Sequence, residues 1–205
     1  MAAEHLVWID CEMTGLDPKA DALIEVAVLV TDAELNVLGD GVSVVIKPTK
    51  KALAQMGDFV RNMHIESGLL PLLEGGTTMA DAEAQVLAYV QAQVPAGKAP
   101  LAGNTVGMDK VFLERDMPRL IEHLHYRVVD VSSIKELVRR WYPRVFFNAP
   151  PKTGGHRALG DIQDSIRELK YYRQTVFVPL PGPDSDAARA ATAKVADNAA
   201  SPEQA

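Results

Sequence analysis

Cysteine is almost missing from this chain. Cys11 is the only one among 205 residues, which excludes an intrachain disulfide and fits a reducing compartment. Long hydrophobic runs are missing as well. No stretch approaches the roughly 20 apolar residues that a membrane-spanning helix needs, and no charged start followed by an apolar stretch marks an export signal. The third absence is excess positive charge. The formal net charge is −6, whereas proteins that grip long nucleic acid by its phosphates carry basic stripes. A small anionic ligand held through metal ions is not excluded. The expectation is a soluble, cytoplasmic protein with no membrane attachment. What is present is apolar material, 47% of the residues, enough for the core of one good-sized domain.

The apolar runs set the order of elements. Leu6 to Asp10, Ala22 to Thr31 and Leu38 to Ile46 read as three strands, and the short connections predict antiparallel neighbours. Thr78 to Val94 takes helical spacing at Val86, Val90 and Val94, with Thr78 and Asp81 at its cap. A short strand over Pro100 to Gly103 precedes a helix from about Asp109, with Phe112, Leu113, Leu120, Ile121 and Leu124 as apolar positions. A strand over Arg127 to Val131 leads to a helix capped by Ser133 and Glu136 and running to Trp141. Pro143 to Gly155 reads as a loop, and the last helix runs from near His156 to Val176. Three strands followed by alternating helices and strands predict an α/β fold, a mixed sheet with helices packed on it. No internal repeat is visible. From residue 178 the composition turns to Ala, Pro and Asp, which predicts a disordered tail over 178–205 behind a domain over 1–177. Four acids (Asp184, Asp186, Asp197, Glu203) and two bases (Arg189, Lys194) give that tail −2 of the charge.

The first strand ends in Asp10-Cys11-Glu12. Side chains at i and i+2 of a strand share a face, so Asp10 and Glu12 look one way and Cys11 the other. Two like charges at the end of a buried strand repel and are poorly solvated. A proton, a basic side chain or a metal must neutralise them, and hard divalent cations take oxygen ligands of this kind. A polar strand end turned to solvent is the plain alternative. Further polar groups follow: Asp109 at the start of a helix, Asp161 on the last helix, and His156 five residues before it. Singly, each fits a helix terminus, a solvated face or a loop. Together they form an ordered set.

The segments WIDCEMTGL, AGNTVGMDKVFL, HYRVVDVSSIKEL and GGHRALGDIQDSIREL resemble the DEDDh 3′-to-5′ exonuclease superfamily, named for four acidic residues and a histidine, and within it the oligoribonuclease family. Asp10 and Glu12 match the first motif, Asp109 the second, and His156 with Asp161 (H-x-x-x-x-D) the third. The resemblance covers roughly Leu6 to Phe177. It implies a ribonuclease-H-like fold. It also implies release of nucleoside 5′-monophosphates from the 3′ end of very short single-stranded RNA, using two divalent metal ions, Mg2+ or Mn2+.

Under that resemblance Asp10 bridges the two ions, Glu12 and Asp161 complete one shell, and Asp109 holds the second ion. His156 is then the general base for the attacking water, and Gly154 and Gly155 let its loop move. Cys11 takes a core role. Leu16 is expected to wedge between bases. Phe59, where the family commonly has tryptophan, is expected to stack on a base, an interaction worth about 1–3 kcal/mol. Thr105, in the turn before Asp109, is a further substrate contact, and His64 is placed at the scissile phosphate or the terminal sugar. In the family the segment around Tyr126 reaches the site of the partner subunit. A homodimer is therefore expected, with Arg127 and Ser132 capping the substrate's 5′ phosphate and Tyr126 near the metals. The rival readings are a related exonuclease that trims or proofreads longer single strands, a binding module without catalysis, and a metal-stabilised structural protein.

Overall fold

The computed structural model describes residues 4–153 and 155–200, except for the side chains of 197–200. Five strands form one mixed sheet in the order β3-β2-β1-β4-β5: β1 (Leu6–Met13), β2 (Leu23–Thr31), β3 (Val37–Val45), β4 (Pro100–Gly103) and β5 (His125–Asp130). β1, β2 and β3 pair antiparallel, as their short connections predict, and β4 and β5 join parallel through helical crossovers. Every residue of β2 is buried, which is why that strand reads as an almost unbroken apolar run.

The two faces of β1 feed two cores. Val7, Ile9 and Cys11 pack with Val86 and Val90 of α3 (Met79–Gln93) and with Phe112 and Leu113 of α4 (Gly107–Asp116). Trp8 faces Ile162, Ile166 and Tyr172 of α8 (Ala158–Thr175) on the other side. The indole N–H of Trp8 donates to Thr31 Oγ1 at 3.0 Å, which satisfies the one polar atom this side chain takes into the core. The alternation along β1 therefore turns Asp10 and Glu12 toward α8.

β4 is only four residues long and pairs with β1 at Val7 and Trp8. Beyond Trp8 the β4 flank of β1 is left to other partners. The chain leaves β4 through Gly103, where an added Cβ would lie 3.0 Å from the Ile9 carbonyl oxygen and 3.1 Å from a Val106 methyl. Glycine permits that close approach without displacing either neighbour.

Several boundaries differ from the sequence reading. The helix expected from Asp109 through Leu124 is two, α4 and α5 (Pro118–His123), because Pro118 cannot continue the first and starts the second. The helix after β5, α6 (Val131–Trp141), begins ahead of the expected Ser133 cap. Asp130 caps it, accepting from Ser132 N. A short helix, α7 (Pro143–Phe147), occupies the first part of the expected loop. Residues 47–77, which carry no sequence assignment, hold α1 (Lys50–Gln55), α2 (Asp58–Glu66) and a 3-10 turn (Leu70–Gly75), seated on Ile24 through Met56, Leu69 and Leu73. In the segment expected to be disordered, α9 (Ser185–Ala200) forms a helix whose described side chains are all exposed. Alanine favours the helix there without supplying a face to bury.

Candidate active site

A groove of about 540 Å³ opens where β1 runs past the end of β4, between α4, the loop before α8 and the first turn of α8. Asp10 and Glu12 project into it from β1, and Asp161 meets them from the first turn of α8. One carboxylate oxygen from each of these three lies within 4.8 Å of the others. Asp109 reaches the same groove from the first turn of α4 and lies outside that cluster. Its Oδ1 accepts the Cys11 backbone N–H at 3.0 Å, taking up a β1 donor that the short β4 does not pair. Shortness of β4 and placement of Asp109 are thus one feature.

The electrostatics explain what the cluster requires. Burial pushes Asp10 up to about 9, with the negative charges of Asp109, Glu12 and Asp161 adding to the effect. Glu12 is raised to about 8, first by burial and then by Asp161 and Glu25. Burial also raises Asp109 to about 6, against the backbone N–H groups that favour its charged form. Asp161 is raised by burial, opposed by Lys152 and His156. At neutral pH Asp10 and Glu12 hold protons unless a cation replaces them. Three hard oxygen donors at this separation suit a divalent cation.

His156 lines the groove on an exposed loop, with a left-handed φ of 57° directly after Gly155 at φ 64°. Gly154, expected to share in the loop's freedom, lies outside the described residues. Leu16 stands at the mouth with 67% of its surface exposed, and Thr105 lines the far wall. Thr105 also has a left-handed φ, 64°, and is held by its N–H donated to Asp130 Oδ1 at 2.9 Å.

Other expected residues fall elsewhere. His64, expected at the scissile phosphate or the terminal sugar, is not among the residues that line the groove. It is fully buried, because α2 packs against the sheet, and its Nε2 lies 2.9 Å from the Met13 carbonyl oxygen. Its Nδ1 faces Glu12 Oε2 at 3.9 Å. Phe59, on α2, is 83% exposed and does not line the groove. Tyr126 and Arg127 lie on the edge strand β5, with the guanidinium 5.7 Å from the Tyr126 ring centroid, and line a separate depression. Ser132 donates its hydroxyl to Asp130 Oδ1 at 2.6 Å.

Three residues escaped the sequence reading. Lys152 lines the groove and is a positive charge that lowers both Asp10 and Asp161; its signal was a lysine in the loop that holds His156. Glu25 is 1% exposed and is paired twice by Arg157. Its signal was a lone acid inside the apolar run of β2, although nothing local named its partner 132 positions away.

An exonuclease family profile of the RNase T type matches residues 7–169. The oligoribonuclease of Streptomyces coelicolor is 66% identical over 192 residues, covering 93% of this chain and 96% of that protein. The oligoribonuclease of Mycobacterium bovis is 55% identical over 203 residues, covering 98% and 94%. Among solved structures, exonuclease I of Methylocaldum szegediense superposes with a TM-score of 0.64 at 20% identity, over 84% of this chain and 41% of that one. Exonuclease I of E. coli in complex with single-stranded DNA gives 0.67 at 17% identity, over 85% and 41%. At those identities the likeness is one of fold, a mixed sheet flanked by helices, and the chain spans well under half of those larger proteins.

Proposed function

Because this chain belongs to the RNase T-type exonuclease family, and within it to the oligoribonucleases, we propose that it hydrolyses very short single-stranded RNA from the 3′ end to nucleoside 5′-monophosphates. The observation that carries the reading is the partly buried cluster of Asp10, Glu12 and Asp161, facing Asp109 and His156 across one groove.

In this reading Asp10, Glu12 and Asp161 would hold one divalent ion, and Asp109 would help to hold a second. Oxygen donors alone favour Mg2+ or Mn2+. Such ions stabilise charge on the attacking and leaving oxygens of the phosphodiester. His156 takes the proton from the attacking water, a contribution of about 10²–10⁴-fold for a general base. Its exposed loop gives it access to water from outside the groove. Leu16 separates the bases at the mouth, Thr105 contacts the substrate from the far wall, and Phe59 stacks on a base beyond the groove.

The same reading makes the protein a cytoplasmic homodimer with a catalytic domain over 1–177 and an appended tail over 178–205. The unpaired outer edge of β5 and the 78% exposure of Tyr126 support a second copy at that edge. Tyr126, Arg127 and Ser132 then serve the partner's groove, Arg127 and Ser132 at the 5′ phosphate. That cap limits the substrate to about two to five nucleotides. Among the described residues no helix is long and apolar enough to cross a membrane.

The test is a comparison of a labelled diribonucleotide with a long RNA in the presence of Mg2+. The expected result is the highest kcat/KM on the dinucleotide and a decline with length. A kcat/KM that rises steadily with length would favour the relative that trims longer strands.

A further inference from the structure

The segment that carries His156 is short and held at both ends. Before it, Thr153 is tied to α8: its N–H donates to Asp164 Oδ2 and its hydroxyl to Asp164 Oδ1, the latter at 3.0 Å. Arg167 braces the same point, donating to Thr153 Oγ1 at 3.0 Å and pairing with Asp164. After it, Arg157 reaches across to β2, with Nε donating to Glu25 Oε2 at 3.1 Å and Nη2 to Glu25 Oε1 at 2.8 Å. Both anchoring carboxylates are out of water, Glu25 at 1% exposure and Asp164 at 5%. Only residues 154–156 lie between the anchors. Gly155 and His156 both take left-handed φ there, a conformation that a residue with a Cβ leaves unless its surroundings hold it.

Glu25 is the one charged side chain in β2, and besides Arg157 it accepts from Ser43 Oγ at 3.0 Å and from Ala158 N at 3.5 Å. The rest of β2 is buried and, apart from Thr31, apolar, and a buried ion pair is a weak contributor to stability compared with well-packed apolar side chains. What the pair does supply is a fixed bidentate geometry. Its place in the ladder matters: Glu25 is the register partner of Glu12. The anchor after His156 is therefore referenced to the strand position next to the carboxylate cluster. Ala158 starts α8 immediately after it, and Asp161 follows in the first turn.

We propose that Glu25 and Asp164 are positioning residues for His156, fixing both ends of its three-residue span so that the imidazole meets the groove at a set distance from Asp10 and Glu12. The inference rests on the reading of His156 as the general base. It assigns to Arg157, Thr153 and Arg167 the work of transmitting that constraint.

A double-mutant cycle tests it. Diribonucleotide hydrolysis is measured at saturating Mn2+ for the wild type, Glu25→Gln, His156→Asn and the double variant, with the Tm of each recorded. Glu25→Gln is expected to lower kcat about 10-fold or more, as a misplaced reacting group does, with little change in KM. In the His156→Asn background the same change should cost nothing further. Equal losses in both backgrounds would overturn the proposal, since Glu25 would then act on the metal cluster or on the fold. Should Glu25→Gln fail to fold, Asp164→Asn decides on the same cycle: it weakens the carboxylate that accepts both the N–H and the hydroxyl of Thr153, and an unchanged kcat would sink the idea. Failure of the underlying reading is visible separately, as a His156→Asn enzyme that keeps its kcat.

Discussion

Asp10 is the residue whose charge the fold opposes most openly, and the opposition has a direction in pH. A carboxyl raised to about 9, with Glu12 at about 8, keeps its proton in the folded state after the unfolded chain has lost its own. Between the unfolded carboxylate range near pH 4 and the raised values, the native state binds more protons, so stability falls as pH rises through that window. The metal-free protein should lose Tm steadily from about pH 5 to pH 9, and saturating Mg2+ or Mn2+ should remove most of that loss. A flat Tm without metal would mean that the carboxylates are already compensated. Metal uptake at pH 7 should also release protons, read by calorimetry in buffers of different ionisation enthalpy. Asp10→Ala should cost at least about 10³-fold in kcat, the several kcal/mol expected when ion-borne charge stabilisation is lost. The metal-free form should nevertheless melt no lower than wild type, since the substitution removes a repelled group. Much of this was legible in the sequence, because the two-residue period of a strand forces Asp10 and Glu12 onto one face. Glu25 with Arg157, and the buried His64, were not: their surroundings come from elements 132 and 51 positions away in the chain.

At the scale of elements, the order of strands and helices followed from apolar periodicity, and the errors cluster where periodicity has too few residues to act on. α1 and α7 have six and five residues, under two turns each, so no repeating face could reveal them. The break between α4 and α5 was announced by Pro118, and the apolar residues on both sides masked it. Asp130 shows how one cap can serve two elements. Its Oδ1 accepts from Ser132 N at the start of α6 and from Thr105 N in the groove wall, both at 2.9 Å. Asp130→Ala should therefore cost about 1–2 kcal/mol of stability in urea unfolding, the usual effect of losing a cap. It should also raise KM for a diribonucleotide, because Thr105 loses the bond that holds its left-handed backbone. A stability loss with an unchanged KM would separate Thr105 from the substrate.

At the scale of the whole molecule, a chain of net charge −6 gains little from each additional substrate phosphate, so a length limit needs a physical stop. The proposed homodimer supplies one, and mixing tests it. An Asp10→Ala chain and an Arg127→Ala chain, each poor alone, should recover part of the activity once subunits exchange, because one groove of the mixed dimer regains both groups. No recovery after confirmed exchange would rule out the shared site. The placement of the groove on the central strand has a further consequence. β1 is hydrogen-bonded to β2 from Leu6 to Met13 and to β4 at its start, and α8 is buried along Ile162, Ile166 and Leu169. The amides of these elements should exchange with deuterium only through large-scale opening, whereas those of the exposed loop before α8 should exchange through small local fluctuations. The carboxylates thus belong to the slow-exchanging body and His156 to a fast-exchanging margin. In mild denaturant the protein should stop turning over while it still binds its cation, passing through a folded, metal-loaded and inactive form before the sheet gives way.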